Sequence, residues 1–385
     1  MKNDIAYLKN QNLYRELRSI ASHPNPIIEW NQKKFINFAS NDYLGYAFHP
    51  DIQKAAKQAI DQWGTGSTAS RLICGSLQIH HNLEKVLAQW KGTESALIFA
   101  SGFQANNGVL STLINKNDTV FLDRLCHASL IDGARLSGAK IRVYPHLDTA
   151  KLQSLLSKEK SKCWIITESV FSMDGDQADI QKLQDIAIQH SATLIIDEAH
   201  ALGVYGKRGE GLVAKDFSKK QIILLGTLSK ALGSQGGFVC ANHETIALLI
   251  NHARSFIYST APTPAASAAA HKAIEFIQKE SFTREALWHK TEVIRKGLST
   301  FTLPVSSSEG PIIPILVGTS ENAIKLAQYF LEQGIFIPAI RPPTVPTNSS
   351  RLRLTISAAH SEAHIDSFIR ALKTVQKFEP LKTKM

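Results

Sequence analysis

The chain has 385 residues, of which 44% are hydrophobic and 20% charged, and its formal net charge is +10. This length and composition exclude a disordered or fibrous chain and allow one large domain with a smaller one. No apolar run approaches the roughly 20 residues of a membrane-spanning helix, so we expect no membrane partner. The N-terminus lacks a long apolar segment and carries Asp4 early, which favours a cytoplasmic protein.

The four cysteines, Cys74, Cys126, Cys163 and Cys240, are scattered with no paired spacing. This pattern predicts reduced thiols rather than a disulfide framework or a zinc site, and no metal is expected. The Lys and Arg residues are dispersed without a run of five, which argues against nucleic acid as a partner. The positive charge fits an acidic small substrate or an acidic carrier protein equally well.

The first elements in chain order are a basic segment at residues 13–18, which we predict to be a helical arm, and a short hairpin-like piece at 35–38. From about residue 95 to 240, short apolar runs alternate with longer amphipathic stretches. This alternation predicts a mostly parallel, seven-stranded sheet covered by helices on both faces. The predicted strands are 95–99, 119–122, 141–144, 163–167, 193–196, 222–225 and 237–240, and the predicted helices are 104–113, 129–137, 151–157 and 180–190.

The last third of the chain has a different pattern. From about residue 266 the order of helix, strand, helix, loop, strand and helix predicts a smaller α+β domain. An alanine-rich run at 265–270 favours a long helix that joins the two domains, and three prolines stiffen the loop 341–346. We therefore expect an N-terminal arm with strands of the smaller domain at 1–45, a large α/β domain at 46–265 and a C-terminal α+β domain at 266–385.

A lysine and a carboxylate each follow a predicted buried strand. Lys230 comes shortly after 222–225, and a lysine that is partly desolvated there has a lowered pKa and can form a Schiff base. Asp197 ends the strand at 193–196 and needs a cationic partner such as a protonated ring nitrogen, although it could instead cap a following helix. His200 lies three residues further on, where it could point the same way.

Two further segments lie at predicted strand-to-helix junctions. Residues 101–106 open a helix after the strand 95–99, and backbone N–H groups at such a start bind phosphate, with Gly102 allowing close approach. His127 precedes another helix and is either a surface histidine at a helix start or a contact for a ring. A phosphate-binding turn, a carboxylate, two histidines and a strand-end lysine together predict pyridoxal 5'-phosphate, bound as an internal aldimine at Lys230.

The tetrad at 197–200, Asp-Glu-Ala-His, also occurs in nucleic-acid-dependent ATPases, which combine it with a phosphate loop. That loop needs a glycine, four residues, Gly-Lys and then Ser or Thr. The only Gly-Lys pair, Gly206-Lys207, is preceded at the required spacing by Ala201 and followed by Arg208. The ATPase alternative therefore lacks a necessary part.

Six segments in order, at 38–45, 101–106, 123–129, 168–176, 197–200 and 227–230, resemble the α-oxoamine synthases. The resemblance covers nearly the whole chain. It implies a fold-type I pyridoxal phosphate enzyme that condenses an amino acid with an acyl thioester and releases carbon dioxide. In the segments 257–260, 339–346 and 351–355 the chain is most similar to members that join L-alanine to a pimeloyl thioester of coenzyme A or acyl carrier protein in biotin biosynthesis. Siblings such as glycine C-acetyltransferase or an autoinducer-type aminoketone synthase stay open as alternatives.

Carried over residue by residue, the resemblance implies two sets of contacts. The cofactor contacts are Gly102, Phe103, His127, Ser172, Asp197, His200, Thr227, Lys230 and Thr260. The substrate contacts are Arg15, His127, Thr344 and Arg353. The catalytic residues are Lys230, His127, Asp197 and His200.

The resemblance also implies a role for each residue. Lys230 holds the cofactor and then acts as general base, and Asp197 binds the ring nitrogen. His200 contacts the ring hydroxyl, and His127 stacks over the ring. Thr260 reaches the phosphate from the neighbouring subunit, which implies a homodimer with the active site at the subunit interface.

On the substrate side, Arg353 would clamp the amino acid carboxylate, and Arg15 and Thr344 would contact the acyl substrate. Thr68 and Ala69 depart from the family pattern, because they stand where glycines are common.

Overall fold

The computed structural model describes residues 2–24, 26–213, 222–301 and 308–375. The helices are α1 (Lys2–Asn10), α2 (Pro50–Trp63), α3 (Gln78–Lys91), α4 (Gly102–Leu113), α5 (Ala128–Leu136), α6 (Thr149–Leu156), α7 (Ile180–Gln189), α8 (His243–His252), α9 (Arg254–Ile257), α10 (Pro264–Lys279), α11 (Phe282–Ser299), α12 (Ser320–Glu332) and α13 (Glu362–Val375). The strands are β1 (Ile27–Trp30), β2 (Lys33–Asn37), β3 (Ser95–Phe99), β4 (Thr119–Asp123), β5 (Lys140–Tyr144), β6 (Cys163–Glu168), β7 (Thr193–Asp197), β8 (Ile222–Thr227), β9 (Gly237–Ala241), β10 (Ile312–Gly318), β11 (Ile335–Phe336), β12 (Ala339–Ile340) and β13 (Ser350–Thr355).

The chain forms two compact units. Unit 1 comprises the described residues up to Gly45, the segment Ser172–Asp176 and the described residues from Phe282 onward, and unit 2 comprises Tyr46–Phe171 and Gln177–Ser281. The long alanine-rich helix α10 belongs to unit 2, whereas the sequence placed residues from 266 onward in the smaller domain. The physical reason is that α10 packs on α2 and α3.

Unit 2 contains the predicted seven-stranded sheet, in the order β3-β9-β8-β7-β6-β4-β5. β9 is antiparallel to both of its neighbours, and the other pairs are parallel, so the mostly parallel sheet is confirmed. Every residue of β6 and β7 is buried, as expected for strands covered on both faces. The carboxyl ends of parallel strands are where such sheets carry their ligands.

Helices α4 and α5 are fixed to each other and to the sheet by apolar side chains. Val109, Leu130 and Ile195 are fully buried in one hydrophobic cluster. Each fully buried side chain of this size stabilises the fold by about 1.5–3 kcal/mol. The first turns of both helices are therefore held in defined positions beside the sheet.

Unit 1 contains two small sheets. In the first, β1 pairs antiparallel with β2, and β2 pairs parallel with β11. In the second, β13 lies between β10 and β12 and is antiparallel to both. All six residues of β13 are buried. The α+β character expected for the smaller domain follows from these sheets and from α11, α12 and α13.

The prediction of a helical arm at 13–18 is wrong. The helix α1 ends at Asn10, Asn12 adopts a φ of 55°, and no regular structure follows at 13–18. Beyond this point Nη2 of Arg15 donates to the carbonyl oxygens of Arg341 and Pro342, at 3.2 and 3.1 Å. The basic segment is thus held by a distant loop rather than by its own helical hydrogen bonds.

The thiols, the possible metal ligands and the helix lengths are features of the whole described chain rather than of one unit. All four cysteines are free thiols, and only Cys74 is exposed. Within the described ranges, no cluster of three His, Cys, Asp or Glu residues is arranged to bind a metal. In the same part of the chain, no helix has the length and apolar character needed to cross a bilayer.

Candidate active site

Lys230 lies in a tight turn after β8. Thr227, the last residue of β8, donates from Oγ1 to the Gly236 carbonyl at 2.9 Å and accepts from the Ser229 N–H at 3.2 Å. Gly233 has a φ of 61°, and a Cβ there would lie 2.4 Å from the backbone nitrogen of Ala47. The close packing of this turn fixes the direction in which the lysine leaves it.

The amine of Lys230 has a histidine as its neighbour. Nζ of Lys230 lies 2.7 Å from Nε2 of His200, within hydrogen-bond distance. His200 is buried, 5% exposed, and comes from the turn after β7. The structure therefore brings together two predicted catalytic residues that are 30 positions apart in the chain.

Asp197 ends β7 and is 7% exposed. Its Oδ1 accepts from the Ala199 N–H at 2.9 Å, and its Oδ2 accepts from Nδ2 of Asn106 at 2.8 Å. Turns rather than an α-helix follow at 198–204, so Asp197 does not act as a helix cap. A buried carboxylate at this strand end suits a protonated ring nitrogen as a further partner.

His127 precedes α5, as predicted, and acts as its N-cap. Its Nδ1 lies 2.7 Å from Oγ of Ser129, and its backbone N–H donates to Oε1 of Glu168 at 2.6 Å. The residue is exposed at the surface, but desolvation of its ring lowers its pKa, an effect that the nearby Asp197 carboxylate opposes. The imidazole is therefore neutral at neutral pH.

The start of α4 is the turn that the sequence predicts to bind a phosphate. Oγ of Ser101 accepts from the Gln104 N–H at 3.2 Å, and the N–H groups of Gly102 and Phe103 point out of the first helical turn without intrahelical acceptors. A Cβ added to Gly102 would lie 3.4 Å from Cβ of Thr227. The helix start and the end of β8 are thus adjacent, and the helix start offers N–H donors to a phosphate.

Two further residues predicted to contact the cofactor are Ser172 and Thr260. Ser172 belongs to unit 1. Thr260 is exposed in unit 2 and forms an isolated β-bridge with Ser70. The nearby Thr68, which departs from the family pattern, adopts a φ of 58°, in the left-handed region that favours glycine.

Arg353 lies on β13 in unit 1 and is 4% exposed. Its Nε donates to the Ser172 carbonyl, and its Nη1 donates to Oγ1 of Thr355 at 2.9 Å. Its Nη2 is buried without a hydrogen-bond partner in the part of the chain that the structure describes. On the same strand, Arg351 instead forms an ion pair with Asp174. A buried guanidinium with unused donors fits a carboxylate ligand.

Arg15 and Thr344 form a second, exposed pair in unit 1. Nη2 of Arg15 lies 3.5 Å from Oγ1 of Thr344, at the limit of hydrogen-bond distance. Arg341 reciprocates by donating to the carbonyl oxygens of Asn12 and Tyr14. The structure therefore brings together two predicted acyl-substrate contacts from opposite ends of the chain.

Three residues of the site were not assigned a role from the sequence. Asn106 bonds to Asp197, and Glu168 bonds to the backbone of His127. Tyr43 is fully buried, which raises its pKa, while the nearby Arg353 guanidinium lowers it. All three lie within the segments that carry the family resemblance, but only their tertiary contacts separate them from neighbouring residues.

The model of aminotransferase classes I and II matches residues 33–372. The chain belongs to the class I and II aminotransferase family. Two relatives in this family are 8-amino-7-oxononanoate synthases from Pseudomonas paraeruginosa and Pseudomonas putida. The first is 41% identical over 370 residues, 96% of this chain and 92% of the relative. The second is 40% identical over 370 residues, 96% of this chain and 95% of the relative.

Solved structures of aminotransferase-family enzymes agree in fold. Serine palmitoyltransferase K265A from S. paucimobilis, with a bound PLP-myriocin aldimine, has a TM-score of 0.91 at 27% identity and covers 98% of this chain and 96% of its own. An 8-amino-7-oxononanoate synthase from Francisella tularensis has a TM-score of 0.78 at 29% identity, with 90% and 98% covered. The resemblance to α-oxoamine synthases and the fold-type I architecture are confirmed.

These comparisons also confirm that the chain is a pyridoxal phosphate-dependent enzyme of the acyltransferase type. The residues of unit 2 fit that cofactor chemically. The α4 turn offers donors to a phosphate, the buried Asp197 carboxylate suits a ring nitrogen, and the Lys230 amine suits an aldehyde.

Proposed function

We propose that the chain catalyses the decarboxylative condensation of L-alanine with a pimeloyl thioester to give 8-amino-7-oxononanoate, carbon dioxide and the free thiol carrier. This reaction belongs to biotin biosynthesis. The observation that carries the proposal is identity of about 41% over nearly the full length to relatives named for this product. The site geometry supports it, because a lysine, a carboxylate and two histidines lie near one another at the carboxyl ends of strands in the unit 2 sheet.

In this proposal the residues of unit 2 bind the cofactor and move a proton. Pyridoxal phosphate, when bound, supplies an electron sink for negative charge on the α-carbon of the amino acid. Lys230 is the residue that bonds to the cofactor, and its released amine takes the α-proton. Asp197 keeps the ring nitrogen protonated, and His200 binds the ring hydroxyl.

His127 has two tasks in the proposal. Its ring would contact the cofactor, and it would donate a hydrogen bond to the oxygen that becomes negatively charged when the thioester carbonyl is attacked. The lowered pKa of its imidazole keeps it neutral, so one ring nitrogen carries a hydrogen and can donate. Gly102, Phe103, Thr227 and Ser172 complete the cofactor contacts.

The residues of unit 1 bind substrate in this proposal. Arg353 takes the carboxylate of alanine, which would satisfy its buried Nη2. Arg15 and Thr344 receive the acyl thioester. Both are exposed, which suits a long flexible substrate delivered by coenzyme A or by acyl carrier protein.

The homodimer expected from the sequence is part of the proposal, as is a cytoplasmic location. Thr260 would reach the phosphate bound by the neighbouring subunit, and its exposure in a single chain is consistent with that role. Sedimentation of the purified enzyme checks the dimer directly.

A sibling reaction is the second candidate, because solved structures of serine palmitoyltransferase have the same fold at 27–29% identity. Carbon dioxide release by the purified, cofactor-loaded enzyme separates the candidates. Alanine, glycine and serine are each tested with acetyl-, pimeloyl- and palmitoyl-coenzyme A, and with pimeloyl acyl carrier protein. We expect selective turnover of alanine with a pimeloyl thioester. Selective turnover of glycine with acetyl-coenzyme A, or of serine with palmitoyl-coenzyme A, would reject the proposal in favour of that sibling.

A further inference from the structure

A continuous series of hydrogen bonds joins two of the predicted catalytic residues. Nδ2 of Asn106 lies 2.8 Å from Oδ2 of Asp197 and also 2.8 Å from Oγ of Ser129. Oγ of Ser129 in turn lies 2.7 Å from Nδ1 of His127. Asn106 and Ser129 are 3% and 1% exposed, so water does not compete for these bonds.

The carboxylate of Asp197 determines how the amide of Asn106 is oriented. An ionised carboxylate only accepts hydrogen bonds, so the atom of Asn106 facing it is the NH₂ group. That group has two hydrogens. One is donated to Asp197, and the other is directed to Oγ of Ser129.

The orientation of the amide then determines the tautomer of His127. Oγ of Ser129 accepts from Asn106, which leaves its own hydrogen to donate to Nδ1 of His127. The backbone N–H of Ser129 also donates to this Nδ1, at 3.3 Å. A ring nitrogen that accepts carries no hydrogen, so the hydrogen of the neutral imidazole is on Nε2.

The packing of α5 against α4 makes this arrangement possible. A Cβ added to Gly133 of α5 would lie 3.0 Å from Cβ of Leu110 and 3.1 Å from the carbonyl oxygen of Asn106. A larger residue at this position would push the two helices apart. The glycine therefore allows the close approach that places Ser129 beside Asn106.

We propose that Asn106 and Ser129 are positioning residues that hold His127 as the Nε2–H tautomer and tie its orientation to that of the Asp197 carboxylate. This inference rests on the proposed function, in which His127 donates to the substrate oxygen. The opposite tautomer would present an acceptor at Nε2 and repel a developing negative charge. Neither residue needs to touch the cofactor or the substrate.

The first test reads the tautomer without any turnover. The holoenzyme is labelled with ¹⁵N-histidine, and the His127 signals are assigned by their loss in His127→Asn. We expect a pyridine-type Nδ1 and a protonated Nε2 in the unmodified enzyme and in Ser129→Thr, which keeps the hydroxyl. Ser129→Ala should shift both signals toward a mixture of tautomers. A protonated Nδ1 in the unmodified enzyme, or unchanged signals in Ser129→Ala, would overturn the proposal.

The second test measures the kinetics with whichever amino acid and thioester the enzyme uses best. Loss of one such hydrogen bond corresponds to roughly a tenfold effect, so kcat of Ser129→Ala should fall about tenfold while KM for the amino acid changes little. Ser129→Thr should restore most of kcat. Asn106→Leu should lower kcat at least as much, because both hydrogen bonds are lost.

Ser111→Ala is the matched control on α4, because Oγ of Ser111 donates to the helical carbonyl of Asn107, at 2.6 Å, and not to a residue of the series. It should leave both kcat and the histidine signals unchanged. Equal loss of kcat in Ser111→Ala and Ser129→Ala would reduce the role of Ser129 to general packing. Failure of the alanine and pimeloyl reaction with an intact tautomer result would reject the proposed substrates and leave this inference standing.

Discussion

The two units carry candidate site residues of contrasting character. In unit 2, Lys230, His200, Asp197 and His127 each bond to another side chain, and the partners of Asp197 and His127 are buried. In unit 1, the buried Arg353 keeps an unused Nη2, and Arg15 is exposed. The contrast indicates that the residues proposed for chemistry are held in place before any ligand binds, whereas Arg353, which is proposed to bind substrate, keeps a donor in reserve.

The largest effect is expected from removing the lysine of the unit 2 site. Lys230→Ala removes the amine that lies beside His200, and we expect kcat to fall at least roughly a thousandfold. The visible absorbance of the lysine-bound cofactor should also disappear. The exposed Lys57 on α2 provides the control, since Lys57→Ala should change neither property. Near-normal turnover by Lys230→Ala would remove this lysine from the mechanism.

An intermediate effect is expected on β13 of unit 1. Arg353→Lys removes the forked donors of a buried guanidinium, and KM for the amino acid should rise roughly ten- to a hundredfold, since hydrogen bonds to charged groups contribute about 1.5–3 kcal/mol. Arg351→Lys is the matched control, because Arg351 already has Asp174 as its partner. Steady-state kinetics at varied amino acid measures both. Equal KM changes in the two variants would mean that the unused Nη2 has no role in binding.

The smallest expected effect is on the free energy of unfolding. It tests whether a buried group of unit 1 outside the candidate site, His360, is also held in place by hydrogen bonds. His360 in unit 1 is 1% exposed, accepts from the Ser357 N–H at Nδ1 and lies with Nε2 3.0 Å from the Asn37 carbonyl. Burial lowers its pKa to about 4 from the ordinary 6.5. As pH falls below 6.5, the unfolded chain therefore binds a proton before the folded chain does, and stability decreases until the pH reaches about 4.

This difference in pKa corresponds to a loss of at most about 3 kcal/mol between pH 7 and pH 4. Urea unfolding of the unmodified protein and of His360→Asn, at several pH values in this range, measures it. The variant should be less stable at pH 7, and the gap should narrow as the solution becomes acidic. A gap that stays constant with pH would show that His360 does not titrate as its burial requires.

The sheet of unit 2 was predictable because its strands are short apolar runs and most of them are followed by an amphipathic helix. All residues of β6 and β7 are buried, as their unbroken apolar runs predict. The observed strands each end one residue later than predicted, at Glu168 and Asp197. The arm at 13–18 was not predictable in the same way. Its conformation depends on hydrogen bonds to residues 341 and 342, and local periodicity carries no information about such distant partners.

The residues of the candidate site also differ in whether local sequence or distant partners reveal them. Lys230, Asp197, His200 and His127 could be found from the sequence, because each follows a strand end and belongs to a local motif. The roles of Asn106 and Tyr43 could not, since their side chains act on residues far away in the chain. Asn106 and Asp197 are 91 positions apart and meet only because α4 packs on the sheet that contains β7.

The sequence by itself determined that this protein has a mostly parallel sheet with a lysine and a carboxylate at its strand ends, because apolar runs and strand-end motifs are properties of short segments. Only the tertiary structure decided which groups bond to Nδ1 of His127 and which arginine of β13 keeps a free donor. The physical reason is that a hydrogen bond depends on the position of both partners within a few tenths of an ångström. The order of strands and the packing of α4 on α5 set those positions.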